Sequence, residues 1–260
     1  MPVTADAATV TRRSRVLVVQ LTAVALLAPV SASASTAPPS PVGHGSPPGV
    51  RPTPPVTPVV KPSAKPEPFI PAYVQHVKTR DRVVFLTIDD GVVEEPAFLA
   101  LAQRQHLRFT VFLTNSEAGG ERAAYFAALQ RAGAVIEDHT LTHPWLTRVS
   151  AAERTRQVCQ AAQLDRRVFG RRAQLLRPPY GDVDAAVMAT AKGCGLHAVI
   201  GWDAVMPQTG QLQTWFGTPV LHPGDIVLMH FLHGMTGQVQ RLEALIASQH
   251  LRLALLEDYL

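Results

Sequence analysis

The chain has 260 residues, with 24 lysines and arginines against 20 aspartates and glutamates. Six of the basic and two of the acidic residues lie before residue 69, so residues 69–260 carry 18 of each and are formally neutral. The sequence holds no basic stripe interleaved with aromatic residues, which excludes nucleic acid as the expected partner.

Residues 1–34 have the pattern of an export signal. Three arginines precede an apolar run at residues 16–30, and small residues at 32–34 offer a cleavage site. The run is shorter than the roughly 20 residues that span a bilayer. We therefore expect a protein that is secreted or associated with the cell wall, without stable membrane insertion after cleavage. A retained membrane anchor is the alternative.

Residues 35–68 form a predicted linker. They hold 12 of the 22 prolines, and this composition favours an extended, polyproline-like chain that buries no core. The segment serves either as a passive tether or as a spacer through a cell wall. The remaining residues, 69–260, are enough for one domain with a substantial core.

Strand-like and helix-like segments alternate along this domain. Strands are predicted at residues 83–88, 109–113, 134–136, 174–176, 196–200, 226–229 and 251–256. Helices are predicted at residues 94–106, 121–132, 150–169, 184–194 and 238–249. About seven strands alternating with helices favour a parallel α/β sheet, either open and doubly wound or closed as a barrel.

The two cysteines, Cys159 and Cys194, fall in neighbouring predicted helices. Export makes a disulfide permissible. A disulfide and two buried thiols are both compatible with the sequence.

Side chains that can do chemistry follow the carboxyl ends of five predicted strands. They are Asp89 and Asp90, Asp138 and His139, Arg177, Trp202 and Asp203, and His230. In a βα-barrel these strand ends converge on one face, where such folds build their sites. Core packing does not explain why five separate strands end in an acid, an imidazole or a guanidinium.

His139 and His143 are candidate metal ligands, although two histidines four residues apart are often incidental. The spacing suits one side of a helix, but Pro144 favours a loop at His143. Asp90 would add a carboxylate, and two histidines with one carboxylate leave positions open for water and substrate. A metal on Asp90 would relieve its repulsion with Asp89 and leave Asp89 free as a base.

Five short motifs occur in a fixed order along the domain. They are TIDDG at residues 87–91, HTLTHP at 139–144, RPPYG at 177–181, Trp202-Asp203, and LMH at 228–230. In this order they resemble the motifs of the NodB-type polysaccharide deacetylases, also called carbohydrate esterase family four. The resemblance covers nearly all of residues 83–230 and implies a distorted (β/α)7 barrel with a single catalytic domain.

The resemblance also implies a role for each matching residue. Asp90, His139 and His143 would bind a divalent metal, zinc first, with cobalt or another divalent ion as alternatives. Asp89 would be the catalytic base, oriented by Arg177.

On the same resemblance, His230 would be the catalytic acid that protonates the leaving amine. The backbone N–H of Tyr180 would stabilise the oxyanion. Trp202 and Leu228 are candidates for an apolar pocket around the acetyl methyl group, although ordinary barrel packing explains both nearly as well.

Two departures from the family pattern stand out. Many relatives continue the fourth motif to an Asp-Trp pair that tunes the catalytic histidine, and residues 204–208 contain no such pair. Asp203 is then the expected group that sets the protonation of His230. Asp138 stands where the family often has asparagine, which would add a carboxylate near the metal.

The sequence therefore predicts a hydrolase that removes N-acetyl groups from a carbohydrate polymer, expected to act as a monomer. Peptidoglycan is the first expected substrate and a chitin-like polymer the second. An O-acetyl esterase acting on xylan or a similar polymer is one alternative. A non-catalytic NodB-like domain that binds wall polysaccharide is another, and an unrelated zinc-binding or interaction protein is a third.

Overall fold

The computed structural model describes residues 72–260 apart from Trp215, Phe216 and Thr218. The predicted signal (1–34), the predicted linker (35–68) and the first residues of the predicted domain lie outside the described residues. Ten strands occur in the described part: β1 (Ala72–Val74), β2 (Val83–Asp90), β3 (Phe109–Leu113), β4 (Ala134–Asp138), β5 (Leu175–Leu176), β6 (Ala198–Ile200), β7 (Ala204–Val205), β8 (Gln213–Thr214), β9 (Ile226–His230) and β10 (Arg252–Ala254). Six α-helices accompany them: α1 (Pro96–Gln105), α2 (Asn115–Ala118), α3 (Ala123–Ala132), α4 (Ala151–Phe169), α5 (Ala185–Gly193) and α6 (Met235–Ser248).

The strands form one curled sheet in the order β1-β6-β5-β4-β3-β2-β9-β7-β8, with β10 also paired to β2. All pairings are parallel except that of β7 with β8. An isolated antiparallel bridge joins His76, just after β1, to Asp225, just before β9. The bridge brings the edge strand β1 next to the start of β9. The predicted distorted (β/α)7 barrel is confirmed.

Alternation along the strands separates an interior from an outer layer, because successive side chains of a strand point to opposite faces. Val83 and Phe85 of β2 join the interior cluster, which also holds Phe112, Leu175 and Ile226. Val84, Leu86 and Ile88 of β2 face outward with residues of α1, α3 and α6. A second outer cluster joins β5 and β6 to α4 and α5. The buried strand β2 is therefore packed on both faces, as a parallel barrel requires.

The predicted elements match the observed ones to within a few residues. Ser150 caps α4 by accepting a hydrogen bond from the backbone N–H of Glu153 at 3.2 Å, and Asp184 caps α5 through Val187. The sequence missed three short strands, β1, β7 and β8, and the single-turn helix α2. Two to four residues give too little periodicity for a sequence pattern to detect.

Of the two states that the sequence allowed for the cysteines, the structure shows the disulfide. Cys159 in α4 is disulfide-bonded to Cys194 at the C-cap of α5. The bond lies in the outer cluster that packs these two helices against the sheet. Within the described residues, no helix has both the length and the apolar character needed to cross a membrane.

Candidate active site

A cavity of about 350 Å³ lies at the carboxyl ends of the barrel strands. Its lining is Asp89, Asp90, His139, His143, Pro178, Tyr180, Gly181, Trp202, Leu228 and His230. Of the ten residues predicted for the site, eight line this cavity. Arg177 lies buried directly beneath it, and Asp203 does not line it.

The neighbouring carboxylates of Asp89 and Asp90 reach the same cavity because the backbone turns between them. In a regular strand their side chains would point to opposite faces. Asp90 instead has a φ of 77°, a left-handed conformation that asparagine and aspartate adopt more readily than other side chains. The following Gly91 also has positive φ, at 96°, and a Cβ there would lie only 3.1 Å from neighbouring side chains. This turn brings two acids to one site.

Arg177 is fully buried and holds Asp89. Its Nη1 donates to Asp89 Oδ1 at 2.9 Å and to Thr87 Oγ1 at 2.7 Å. Its Nη2 donates to the carbonyl oxygen of Gly201 at 2.9 Å, and the guanidinium lies 4.4 Å from the ring centre of Phe112. A buried charge-assisted pair with this many partners fixes the position of the carboxylate.

Asp90, His139 and His143 place their ligand atoms within 4.8 Å of one another. Asp90 Oδ1 is 3.5 Å from His139 Nε2 and 3.4 Å from His143 Nε2. Burial would raise the pKa of Asp90, but the hydrogen bond and charge of His139, with His230 and His143, outweigh it and hold this pKa below its ordinary value. Burial lowers the pKa of His143, and His139 acts in the same direction. A charged carboxylate beside a neutral imidazole is the state that a divalent metal requires.

The loop that carries His143 is held by side-chain hydrogen bonds. Thr140 Oγ1 accepts from the backbone N–H of His143 at 3.0 Å, and Gln157 Oε1 accepts from the N–H groups of Leu141 and Thr142. His143 has a φ of 58°, so the loop and not a helix carries it, as Pro144 indicated.

The rim of the cavity contains a stack that the sequence did not reveal. Trp145 stacks on Tyr180 with ring centres 4.1 Å apart and planes 11° apart. Tyr180 in turn meets His143 edge to face at 4.6 Å, and Arg148 lies 4.3 Å over the opposite side of the column, above Trp145. Trp145 follows the His-Pro of the second motif directly, which is the one signal that could have drawn attention to it.

Trp202, Leu228 and His230 also line the cavity. Trp202 packs against Gly181, at which an added Cβ would lie 2.7 Å from the indole ring. Leu228 and His230 point inward from β9, and His230 pairs in register with Asp89 of β2. The cavity therefore has an apolar wall formed by Trp202 and Leu228 beside its polar floor.

Asp203 is placed away from His230, unlike the expectation from the sequence. Its Oδ2 lies 3.0 Å from His76 Nδ1, and His76 is also 3.4 Å from Asp225. Within the described residues, no hydrogen bond or ion pair joins Asp203 to His230. The physical reason is the start of β7, which pairs Asp203 N–H with the carbonyl oxygen of Ile226 at the opposite end of β9.

Asp138 also turns away from the cavity. It is the last residue of β4, and alternation sends its side chain to the face opposite that of the following His139. It is fully buried, and its Oδ1 accepts from the N–H of Thr140 at 2.7 Å. The carboxylate beside the metal that the sequence suggested is therefore a support for the loop that follows β4.

The comparisons with known proteins place this barrel in a class of hydrolases that act on polysaccharides. The profile of the polysaccharide deacetylase family matches residues 76–199. An uncharacterised protein of Streptomyces coelicolor is 39% identical over 197 residues, which cover 74% of this chain and 78% of that protein. The chain belongs to the polysaccharide deacetylase family, carbohydrate esterase family four.

Two characterised members illustrate the range of the similarity. A peptidoglycan-N-acetylglucosamine deacetylase of Bacillus cereus is 27% identical over 177 residues, 63% of this chain and 62% of that protein. The structure of the chitin deacetylase from Colletotrichum lindemuthianum superposes with a TM-score of 0.61 at 23% identity, covering 74% of this chain and 92% of that chain. The chain thus spans a little under two thirds of the length of the Bacillus cereus protein.

Proposed function

We propose that this protein is an exported, metal-dependent hydrolase that removes N-acetyl groups from a carbohydrate polymer, with peptidoglycan the first substrate and a chitin-like polymer the second. The observation that carries the proposal is one cavity in which Asp89, bound to the buried Arg177, lies beside the Asp90–His139–His143 group. Export is proposed from the signal-like residues 1–34.

Asp90, His139 and His143 would hold the metal, and their donor set fits a divalent ion such as zinc. Their ligand atoms are already gathered on one side of the cavity. The Nδ1 of His139 lies 2.6 Å from the carbonyl oxygen of Arg177, which fixes the ring with Nε2 facing Asp90. When bound, the ion supplies polarisation of the acetyl carbonyl and a lower pKa for a nearby water molecule.

Asp89 is proposed as the general base that accepts a proton from the attacking water. Its Oδ1 is bound to Arg177, while its Oδ2 lies 3.7 Å from His139 Nε2 and faces the cavity. The bond to Arg177 fixes the orientation of the carboxylate. The carboxylate that abstracts the proton is therefore held next to the metal ligands without being one of them.

Oxyanion stabilisation and proton donation are proposed for the other side of the cavity. The N–H of Tyr180 lies in the first turn of a short 3-10 helix, Pro179–Gly181, where backbone N–H groups have no partner within the helix. It is proposed to donate to the oxyanion. His230, on the strand paired with that of Asp89, is proposed to protonate the leaving amine.

The substrate assignment is supported by the cavity wall and by the relatives. Trp202 and Leu228 offer an apolar surface that suits an acetyl methyl group. The Bacillus cereus relative acts on peptidoglycan N-acetylglucosamine and the fungal relatives on chitin. Peptidoglycan is placed first because the sequence predicts export on a proline-rich tether.

Acetate release by the purified protein tests the proposal. N-acetylglucosamine oligomers and peptidoglycan are each incubated with the protein, with a chelator, and with the chelator followed by zinc. Chelator-sensitive release that zinc restores is the expected result. Release only from O-acetylated polymers would identify the esterase instead. No release from any polymer, with one metal bound per chain, would overturn the catalytic proposal in favour of a binding protein.

A further inference from the structure

The outer end of the rim stack carries a positive charge beside the cavity. Arg148 lies 4.3 Å above the ring of Trp145, on an exposed part of the surface. Trp145 is 38% exposed and Tyr180 53% exposed. Because Tyr180 also lines the cavity, this column runs outward from the rim of the cavity.

Arg148 has no carboxylate partner within ion-pair distance among the described residues. The Oδ2 of Asp182 accepts from both the N–H and the Oγ1–H of Thr147, at 2.9 and 2.7 Å. These two bonds also tie the loop that carries Trp145 and Arg148 to the loop that carries Tyr180. The loop that carries Arg148 is thus fixed, while its guanidinium forms no ion pair within the described residues.

A guanidinium that rests on an aromatic ring is suited to binding carboxylates. Stacking uses the face of the guanidinium, while its N–H donors lie along its edge, in a fork that matches the two oxygens of a carboxylate. A neutral sugar would gain only an ordinary hydrogen bond at this point. The charge therefore favours an acidic ligand.

We propose that Arg148, supported by Trp145, forms a subsite for a carboxylate carried by the polymer, so that the protein prefers glycans bearing carboxylates to neutral ones. The inference rests on the proposed deacetylase function and specifies its substrate class. N-acetylmuramic acid carries such a carboxylate wherever its lactyl group bears no peptide, and N-acetylglucosamine oligomers carry none.

The test compares three substrates of equal length with the full-length protein. They are a peptide-free peptidoglycan glycan oligomer, the same oligomer with its carboxylates converted to amides, and an N-acetylglucosamine oligomer. The variant Arg148→Gln should raise KM for the acidic oligomer about fivefold, the scale of an exposed charge pair. It should leave KM for the amidated and the neutral oligomers unchanged, and kcat should change for none.

Two further variants act as controls. Trp145→Phe keeps an aromatic face and should keep most of the preference for the acidic oligomer. Arg167→Gln removes an exposed arginine in the last turn of α4 and should change nothing. An equal effect of Arg148→Gln on all three substrates, or no effect on any, would overturn the subsite.

Binding measurements separate this inference from the proposed function. If the wild-type protein released no acetate from any of the oligomers, the deacetylase proposal would fail. Calorimetric titration of the same oligomers would still show whether Arg148→Gln selectively weakens binding of the acidic one. Equal affinities of the wild-type protein for the acidic and amidated oligomers would overturn the subsite.

Discussion

The Nδ1 of His139 lies 2.6 Å from the backbone carbonyl oxygen of Arg177. The carbonyl can only accept, so Nδ1 carries a hydrogen and Nε2 is the ring nitrogen that faces Asp90. The same arginine binds Asp89 through its side chain. Arg177 therefore orients both a proposed metal ligand, His139, and the proposed base, Asp89.

Asp89→Asn should remove nearly all turnover and leave the metal bound. The amide keeps the shape of the side chain, but it cannot accept the proton from water, and loss of a general base costs about 10²- to 10⁴-fold. Acetate release and metal content are measured on the same preparation. Full activity in this variant would show that Asp89 is not the base.

His143→Ala should lose metal as well as activity. The variant removes one of the three proposed metal ligands. Loss of a group that only hydrogen-bonds to a ligand lowers metal affinity roughly 10- to 100-fold, and we expect a larger loss here. Metal content after dialysis against a weak chelator measures this. His106→Asn, in an exposed left-handed position at the end of α1, is the matched control and should keep its metal.

Asp203→Asn should affect stability and leave catalysis intact. Its carboxylate is bound to His76 and pairs the ends of β1 and β9, so its loss weakens that closure by about 1 kcal/mol. Urea unfolding and the pH profile of acetate release are measured together. A shifted pH profile would mean that Asp203 acts on His230 after all, as the sequence suggested.

The titration of Asp165 should make the folded protein less stable as the pH rises towards 7. Burial, with the charge of Glu137, raises the pKa of this carboxyl from 3.8 to about 7, against the opposing hydrogen bond from Asn115. The folded protein therefore holds this proton more tightly than the unfolded chain does. Stability from this group is complete below pH 4 and is lost between about pH 4 and 7, by up to about 4 kcal/mol.

The variant Asp165→Asn removes this titration. Urea unfolding at several pH values should show the variant gaining stability relative to the wild-type protein between pH 4 and 7. A constant difference over that range would mean that Asp165 does not hold a proton in the folded protein.

Replacing Cys159 and Cys194 together by serine should lower the free energy of unfolding by about 2–4 kcal/mol. The bond closes a loop of 35 residues between α4 and α5, and its removal increases the freedom of the unfolded chain. Thermal unfolding with and without a reductant measures the effect on the wild-type protein. The cavity lies on other elements, so acetate release at low temperature should persist; its loss would contradict this separation.

Much of the fold was predictable because long elements repeat their pattern. The periodicity of residues 151–169 and the serine before them predicted α4 with its N-cap, and the apolar runs at 83–88 and 109–113 predicted β2 and β3. The short strands β1, β7 and β8 were not predictable. Their two or three residues become strands only because neighbours in the sheet supply hydrogen bonds.

The sequence by itself determined which residue types stand at the strand ends, and so the acids, histidines and arginine of the site. Only the tertiary structure decided their directions. The positive φ of Asp90 brings it beside Asp89, alternation turns Asp138 away from His139, and the pairing of β7 with β9 takes Asp203 to His76. The stack of Arg148, Trp145 and Tyr180 joins two loops that are more than 30 residues apart along the chain. Such contacts depend on how the barrel closes, because residues distant in sequence meet only when the strands that carry them are packed side by side.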